Sequence, residues 1–218
     1  MFWLASRLWA LLSPERCAGC GAPTSQPLCP ICAGRLDRSL CEGGAVEGCR
    51  VMTAGAYASP LSEAICAFKY QDRPDLARPL ARLLLERLRE VDLLRPEVLV
   101  PVPLHPRRLA ERGYNQAALL ARRLGAGLGV PVATTALARW RFTPQLAGQS
   151  RDVRMAEVRS AFVVNRPRLV QGRNAVLVDD VLTTGATAAA CVRALRMAGA
   201  RPCAVLAIAR ARSDGVFS

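Results

Sequence analysis

The sequence predicts an α/β protein whose mainly parallel sheet carries helices on both faces, preceded by a small cysteine-rich segment. Two observations support this fold class. From residue 51 onward, short apolar runs typical of buried strands alternate with amphipathic helical patterns. Before residue 51, six of the nine cysteines stand among glycines and prolines with little periodicity. We therefore predict two units, a segment at residues 1–50 that needs a metal to fold and a larger domain at residues 51–218.

The elements of the larger domain follow from apolar periodicity and from stop signals. Apolar runs predict strands at residues 51–57, 98–103, 161–164, 175–180 and 203–209. Amphipathic patterns predict helices at residues 60–70, 74–94, 114–128 and 187–197. Gly129 and Gly199 follow the last two helices as stop signals. Residues 138–160 are polar and arginine-rich, which predicts a long mobile loop with a functional role.

The composition is that of a soluble, well-packed protein, but its net charge of +13 is strongly positive. Such a charge favours a polyanionic partner, namely nucleic acid, an acidic membrane surface or a phosphate-rich substrate. Only one of the 30 basic residues, Lys69, is a lysine. Because codon bias also produces this skew, an anion-binding surface and drift on solvated faces both stay open. Aromatic residues are only 5% and do not alternate with basic ones, so no stacking platform for single strands is predicted.

The N-terminal residues 1–12 are apolar, with leucines at helical spacing at positions 4, 8, 11 and 12. About 12 residues are too few to cross a bilayer, which needs about 20. The segment also lacks a basic start and a small-residue cleavage site, so it is not typical of a secretory signal. It predicts a short helix that docks on the protein's own core, with peripheral membrane contact as the alternative. No transmembrane segment is predicted, and the expected compartment is the cytoplasm.

A metal site is predicted by four cysteines in two C-x2-C pairs. The pairs are Cys17 with Cys20 and Cys29 with Cys32, separated by eight residues. Two such pairs can supply four thiolates tetrahedrally to a structural Zn²⁺. Because the segment has no apolar core of its own, the metal would organise its fold.

Residues 176–187 read VLVDDVLTTGAT, in which a buried strand runs into two carboxylates, a hydroxyl-rich turn and a helix. Ligands of parallel sheets bind beyond the carboxyl ends of the strands, where this pattern places its polar groups. Asp179 and Asp180 would accept hydrogen bonds from the vicinal hydroxyls of a ribose, or contact a Mg²⁺ carried by the substrate. Backbone N–H groups and hydroxyls would surround a 5′-phosphate at Thr183, Thr184, Gly185, Ala186 and Thr187. The alternative is an acidic strand end followed by a threonine N-cap.

This segment resembles the binding signature for phosphoribosyl pyrophosphate (PRPP) in type I phosphoribosyltransferases. Further motifs are similar to the ComF family of competence-associated, phosphoribosyltransferase-like proteins, which often carry an N-terminal double zinc ribbon. They are FKY at residues 68–70, PVPL at 101–104, R-x3-RGYNQ at 108–116 and AIAR at 207–210. The resemblance implies a type I phosphoribosyltransferase fold, PRPP with Mg²⁺ as ligand, and a link to DNA uptake.

The resemblance also implies roles for residues around the strand at 98–103. Pyrophosphate would sit in the loop that contains Pro103. The cationic clamps would be Arg107, Arg108 and Arg112, because a guanidinium pairs with two phosphate oxygens at once. Lys69 would add a point charge, and polar atoms at the start of the next helix would be oriented by Asn115 and Gln116. His105, the only histidine, is expected to be an ordinary loop side chain, with catalysis as the alternative.

The predicted mobile loop agrees with the family pattern only in part. Gln145 and Arg154 match it, whereas Gln149 and Glu157 depart from it. These two departures imply a difference from the family either in how the loop closes over the substrate or in which substrate is bound.

The remaining cysteines do not complete the second ribbon that the family often carries. Cys41 and Cys49 stand without their expected partners and are predicted to be free thiols, although one could instead replace a ligand of the first site. Cys66, Cys191 and Cys203 occur in apolar contexts and are predicted to be small core residues.

Two functions stay open. The first is an enzyme that transfers phosphoribosyl from PRPP to a base or related nucleophile with Mg²⁺, acting chiefly by positioning and by stabilising the leaving group. No residue is predicted as its general base. The second is a non-catalytic module that senses PRPP, or that binds DNA or a partner protein through the zinc ribbon and the basic surface.

Overall fold

The structure is a computed structural model that describes residues 16–36, 41–88, 95–141 and 161–211. Its helices are α1 (Pro30–Leu36), α2 (Leu61–Tyr70), α3 (Ala77–Leu88), α4 (Pro106–Arg112), α5 (Gln116–Leu128) and α6 (Ala186–Met197). Its strands are β1 (Cys41–Val46), β2 (Cys49–Ala56), β3 (Val98–Pro101), β4 (Leu137–Arg139), β5 (Phe162–Val164), β6 (Asn174–Leu182) and β7 (Arg201–Arg210). The predicted helix at residues 1–12 and the loop residues 145, 149, 154 and 157 lie outside the described residues.

The main sheet has the strand order β1-β2-β7-β6-β3. The pairs β2–β7, β7–β6 and β6–β3 are parallel, and β1 pairs with β2 in the antiparallel direction. Ala56 at the end of β2 and Leu182 at the end of β6 are both opposite Arg210 of β7. The carboxyl ends of these three strands therefore lie at one edge of the sheet, and the predicted mainly parallel sheet is confirmed.

Helices cover both faces of this sheet because successive strand residues point to opposite sides. In β6, Val176 and Val178 pack with α3 and α5, whose fully buried residues include Leu80, Leu84, Leu120 and Leu124. Ala175 and Leu177 face the other side and pack with α6, whose buried residues include Cys191, Val192 and Leu195. The predicted α/β class is thereby confirmed. None of the described helices is both long enough and apolar enough to span a bilayer.

Helix α4 occupies the stretch after β3 that was predicted to be a loop. It begins with Pro106 in the first turn, where a missing N–H costs nothing, and His105 accepts a hydrogen bond from the Arg107 N–H at 3.2 Å. Gly113 ends the helix at a φ of 80°. None of its residues is buried, so the sequence has no apolar periodicity to indicate a helix there.

Two other predicted helices begin later than their patterns indicated. Residues 74–76 form a 3₁₀ turn before α3, and residues 89–94 lie outside the described part of the chain. Asn115 caps α5, since its Oδ1 accepts a hydrogen bond from the Ala118 N–H at 3.2 Å, and the helix therefore begins at Gln116.

The hairpin of β1 and β2 connects the cysteine-rich segment to the main sheet. Its turn uses Glu47 and Gly48, both at positive φ. The proposed unit boundary at residue 50 therefore falls inside β2. A second small sheet pairs β4 with β5, so residues 137–139 form a strand at the start of the stretch predicted to be a mobile loop.

Candidate functional site

The two adjacent carboxylates predicted to bind ribose lie near the carboxyl end of β6. Asp179 Oδ1 accepts a hydrogen bond from the Asp180 N–H at 2.8 Å. Asp180 Oδ1 lies 2.9 Å from Nζ of Lys69, which extends from the last turn of α2. The side chains of Lys69 and Asp180 are only 20% and 13% exposed, so solvent screens this ion pair weakly. Helix α2 therefore brings a cation directly onto the predicted ribose site.

The surroundings of Asp179 raise the pKa of its carboxyl. Burial raises its pKa most, and the negative charge of Asp180 raises it further. The Asp180 N–H and the cations of Lys69 and Arg139 lower it, and the result is a pKa of about 7. The charge of this carboxylate is thus sensitive to small changes of pH or of neighbouring ligand charge.

Arg139 of β4 is a candidate site residue that the sequence analysis missed. Its guanidinium is half-buried, 5.4 Å from the ring centroid of Phe162. Burial and the charge of Arg108 lower its pKa, whereas Cys191 and Asp179 raise it. The residue lies in a stretch treated as a mobile loop. The signal that could have revealed it is its place in the short run ALARW at residues 136–140, which begins with two buried residues.

The predicted phosphate turn lies between β6 and α6. Gly185 takes a φ of 75° at the N-cap of α6, and the Ala186 N–H donates to Thr184 Oγ1 at 3.4 Å. Thr183 and Thr184 are exposed, and Thr187 is half-buried in the first turn of the helix. A helix N-terminus with a glycine N-cap and exposed hydroxyls is a favourable place for a phosphate.

The turn of the β1–β2 hairpin lies directly beside this phosphate turn. A cavity of about 230 Å³ separates them, lined by Ala45, Val46, Glu47, Thr184, Gly185, Ala186, Ala189 and Arg193. The Glu47 carboxylate pairs with the Arg193 guanidinium, and the Glu47 carbonyl accepts a hydrogen bond from Arg196. A Cβ placed on Gly185 would lie 3.2 Å from Val46 Cγ2. The hairpin thus limits the space available at the phosphate turn.

A second cavity, of about 710 Å³, lies between the end of α2 and helix α4. Its lining residues are Lys69, Tyr70, Asp72, Arg108, Ala110, Glu111, Arg112 and Gly113. The structure therefore brings together three of the four cations predicted to hold pyrophosphate. Arg107 does not line this cavity, and its Nε lies 3.1 Å from Glu111 Oε1 at the exposed surface.

Asn115 and Gln116 hold the backbone around this cavity. Asn115 Nδ2 donates to the Val102 carbonyl at 3.0 Å, and Val102 lies just before Pro103. Gln116 is 1% exposed, and its Nε2 donates to the Phe68 carbonyl at 3.5 Å. The Tyr114 hydroxyl donates to the same carbonyl at 2.6 Å. These bonds tie the start of α5 to the loop after β3 and to the residue before Lys69.

The four predicted zinc ligands come together in the structure. The four Sγ atoms of Cys17, Cys20, Cys29 and Cys32 all lie within 4.8 Å of one another. Those of Cys20 and Cys29 are 3.8 Å apart. Zinc–thiolate bonds of about 2.3 Å in a tetrahedron give sulfur separations of about 3.8 Å, so the cluster fits Zn²⁺.

The backbone around the cluster favours a thiolate at Cys17. The Cys29 N–H donates to Cys17 Sγ at 3.2 Å, and the Gly19 N–H donates to it at 3.4 Å. Burial alone raises the pKa of the Cys17 thiol, but the backbone N–H groups of Cys29, Cys20 and Gly19 bring it to about 6.

The cysteine cluster is continuous with the core beneath α2. Cys17, Cys29 and Cys32 are buried in the same apolar cluster as Leu61 and Phe68. A Cβ placed on Gly19 would lie only 2.9 Å from Pro60 Cβ, just before the helix. The cysteine cluster therefore packs against the helix that carries Lys69.

The described cysteines outside this cluster are separate thiols. Cys49 is buried and its thiol donates to the Pro202 carbonyl at 3.3 Å, while the side chain of Cys41 lies outside the described part. Cys191 is fully buried as predicted, and Cys203 is half-buried. Cys66 differs from its predicted core position, because it is half-buried with its Sγ 3.3 Å from the Tyr57 hydroxyl.

Comparison with known proteins shows the family to which this chain belongs. A family model of the phosphoribosyl transferase domain matches residues 69–216, and the chain therefore belongs to this family. It is similar to the DNA utilization protein YhgH of Escherichia coli K12, with 34% identity over 219 residues that cover 95% of this chain and 96% of the relative. It is also similar to competence protein F of Haemophilus influenzae, with 33% identity over 207 residues, 89% of this chain and 90% of the relative. The resemblance to the ComF family is thereby confirmed.

Two solved structures have a partial likeness to this chain. The glutamine PRPP amidotransferase of Bacillus subtilis has a TM-score of 0.45 at 21% identity, over 65% of this chain and 30% of that one. The adenine phosphoribosyltransferase of Trypanosoma brucei has a TM-score of 0.42 at 13% identity, over 85% of this chain and 84% of that one.

Proposed function

We propose that this protein binds PRPP with Mg²⁺ and transfers its phosphoribosyl group to an acceptor. The observation that carries the proposal is the position of Asp179 and Asp180 between two regions suited to phosphates. On one side is the turn at residues 183–187, at the N-terminus of α6. On the other is the cavity lined by Lys69, Arg108 and Arg112. This order matches the 5′-phosphate, ribose and pyrophosphate of PRPP.

Each part of the proposed site has a distinct chemical task. The carboxylates accept hydrogen bonds from the 2′- and 3′-hydroxyls and fix the ribose. The C1′–O bond then breaks, its electron pair leaves with pyrophosphate, and the acceptor's nucleophilic atom bonds to C1′ and loses its proton to solvent. Arg108 and Arg112 stabilise the charge that develops on the leaving group. Mg²⁺ bound with PRPP would neutralise part of the diphosphate charge, and Asp179 and Asp180 offer the oxygen ligands it prefers.

The test begins with calorimetric titration of PRPP and Mg²⁺ into the purified protein. We expect binding that Asp179→Asn combined with Asp180→Asn abolishes while the fold is retained. Glu86→Gln is the matched control, since this carboxylate pairs with Arg82 on the outer face of α3. Unchanged affinity of the double variant contradicts the ribose assignment. Release of pyrophosphate in the presence of candidate bases then tests transfer.

A non-catalytic role in DNA handling is the second candidate. The printed names of the relatives refer to DNA utilization and competence, and the net charge of +13 favours phosphate contacts. In this alternative, the zinc ribbon and the basic surface bind DNA or a partner of the uptake machinery. A steep fall of log affinity with log salt supports it, and a flat dependence or no binding rejects it.

We propose that the protein is cytoplasmic. The cytoplasm keeps cysteines reduced, as zinc thiolates require, and a cytoplasmic location also fits a PRPP ligand.

A further inference from the structure

The cavity of about 710 Å³ has two walls that come from different parts of the chain. The end of α2 and the turn after it form one wall, with Lys69, Tyr70 and Asp72. Helix α4 forms the other wall, with Arg108 and Arg112. A diphosphate held by all three cations must span both walls. The spacing between the walls therefore decides whether the cations reach it together.

Helix α4 has little packing of its own to fix that spacing. None of its seven residues, all of which belong to the described part of the chain, is buried. Short helices gain most of their stability from an apolar face packed against a neighbour. The helix ends at Gly113, and Tyr114 and Asn115 lead directly into α5. The position of α4 over the cavity therefore depends on the contacts that fix its ends.

The Tyr114 side chain reaches from the C-terminal end of α4 to the end of α2. Its hydroxyl donates to the Phe68 carbonyl at 2.6 Å, and the two ring centroids are 5.8 Å apart. Phe68 is fully buried and directly precedes Lys69. Its carbonyl belongs to the last turn of α2, where a helix supplies no donor of its own. Tyr114 thus restrains the backbone from which Lys69 extends.

This hydroxyl is suited to act as a permanent donor. Burial, more than any neighbouring charge, raises the pKa of Tyr114, so the hydroxyl stays protonated at neutral pH. The Gln116 Nε2 donates to the same carbonyl at the longer distance of 3.5 Å. The Arg112 guanidinium also links the walls, because it lies 5.0 Å from the ring centroid of Tyr70. Arg112 is itself a proposed phosphate ligand, however, whereas Tyr114 joins the walls without lining the cavity.

We propose that Tyr114 is a positioning residue whose hydroxyl sets the spacing between Lys69 and the arginines of α4, so that all three cations reach one diphosphate. This inference rests on the proposed function and adds to it a residue that does not touch the ligand. A bond to a backbone carbonyl restrains the end of a helix rather than a single rotamer. Misplacement of binding groups by about 1 Å is enough to weaken their combined effect.

The test uses ligands that differ in whether they span the two walls. Inorganic pyrophosphate with Mg²⁺ and PRPP with Mg²⁺ would contact both walls, whereas ribose 5-phosphate would occupy the carboxylates and the turn at residues 183–187. We expect Tyr114→Phe to weaken pyrophosphate and PRPP about threefold to tenfold, the range for one lost hydrogen bond. The affinity for ribose 5-phosphate should change less than about twofold. Calorimetric titration measures all three.

Control variants separate positioning from a general loss of structure. Tyr114→Phe keeps the ring packed on Phe68, and circular dichroism with thermal denaturation checks that it folds. Ser62→Ala removes a hydroxyl that donates to Glu63 at the start of the same helix, and it should leave all three affinities unchanged. In a Lys69→Met background one wall has lost its cation. Adding Tyr114→Phe there should weaken pyrophosphate less than it does in the wild type.

The possible results distinguish this inference from the proposed function. Unchanged pyrophosphate affinity in Tyr114→Phe, equal weakening of pyrophosphate and ribose 5-phosphate, or full additivity with Lys69→Met would each overturn the role of Tyr114. If the wild type binds no pyrophosphate, the inference also falls. If the wild type binds pyrophosphate but neither ribose 5-phosphate nor PRPP, the proposed function falls, and the pyrophosphate titration of Tyr114→Phe still decides the role of Tyr114.

Discussion

Lys69 Nζ lies 2.9 Å from Asp180 Oδ1, so the only lysine of the chain is paired with a carboxylate of the candidate ribose site. Asp179 and Asp180 are neighbours in sequence and repel each other when both are ionised. The ammonium group offsets this repulsion from the side of α2. The same group lines the cationic cavity, so it links the proposed ribose and pyrophosphate regions.

Replacing Lys69 should therefore weaken PRPP binding more than replacing an exposed surface residue would. We expect Lys69→Met to lower PRPP affinity about tenfold or more, because a poorly screened charge pair is lost together with a phosphate contact. Lys69→Arg keeps the charge and should retain most of the affinity. Calorimetric titration of the two variants checks this, and equal affinities for Lys69→Met and the wild type would contradict it.

The raised pKa of Asp179 predicts a pH dependence of stability. A carboxyl whose folded-state pKa lies above its ordinary value binds protons more tightly when folded. Its contribution to stability is complete below pH 3.8 and is lost as pH rises through about 7. This carboxyl should therefore contribute a fall of the wild-type Tm between pH 5 and pH 8. Asp179→Asn should lessen that fall and raise Tm at pH 8 by roughly 3 °C or more, since 1 kcal/mol shifts Tm by about 2–4 °C in a chain of this size.

Thermal denaturation of both proteins at the two pH values measures this difference. Glu86→Gln, which removes an exposed carboxylate, should leave the pH dependence unchanged. If the Tm of Asp179→Asn and the Tm of the wild type change equally with pH, the Asp179 carboxyl is not the group responsible for the pH dependence.

The cysteine cluster predicts that metal loss affects the ligand site as well as the fold. Elemental analysis should find one zinc per chain. Cys29→Ser should lose it, lower Tm, and weaken PRPP binding, because three of the four ligands are buried in the core under α2. Cys203→Ala removes a half-buried thiol from β7 and should retain the zinc. Full zinc content and an unchanged Tm in Cys29→Ser would reject the assignment of ligands.

Gly185 and Gly172 have nearly equal φ angles, so alanine substitutions at the two positions separate the effect of backbone strain from that of a collision with a neighbouring side chain. Gly185 has a φ of 75° with Val46 Cγ2 at 3.2 Å from an added Cβ, whereas Gly172 has a φ of 71° and open space. We expect each alanine substitution to cost roughly 1–2 kcal/mol of unfolding free energy from the left-handed backbone. Only Gly185→Ala should also weaken PRPP binding, and Val46→Ala in that background should recover part of the affinity. Equal PRPP affinities in the two glycine variants would contradict a phosphate at this turn.

Adjacent arginines on α4 provide the sharpest comparison for the pyrophosphate region. Arg108 lines the cavity, and Arg107 pairs with Glu111 outside it. Arg108→Ala should lower PRPP affinity at least about tenfold, in the range measured for charge-assisted phosphate contacts. Arg107→Ala should change it less than about threefold, because exposed ion pairs contribute little. Titration of both variants decides which arginine contacts the diphosphate, and the reverse order would refute the cavity assignment.

Local patterns accounted for the parts of the site that could be predicted. The strand, carboxylates, turn and helix at residues 176–187 follow one another in the chain, so sequence order alone places them together. The four zinc ligands likewise lie within 16 residues of sequence. The pairing of Lys69 with Asp180 could not be predicted in this way, since it joins residues from α2 and β6 through the tertiary fold.

The helix and strands that the sequence analysis did not predict lack the apolar periodicity on which such predictions depend. Helix α4 has no buried face, so no apolar periodicity indicates it. Strand β1 reads CEGGAV, in which two glycines interrupt any alternation. Arg139 is half-buried in a three-residue strand, and the influence of Asp179 on its pKa depends on how a small second sheet packs against the domain.

The β1–β2 hairpin limits where this chain can be truncated without damage to the main sheet. A fragment that starts at residue 51 would lose the first two residues of β2 together with the strand that covers its outer edge. An apolar strand uncovered in this way is a template for pairing with other chains, so the fragment should aggregate. It would also lose Glu47, which fastens the hairpin to α6 beside the phosphate turn. The cysteine-rich segment and the larger domain are therefore expected to be expressed, recombined and inherited as one piece.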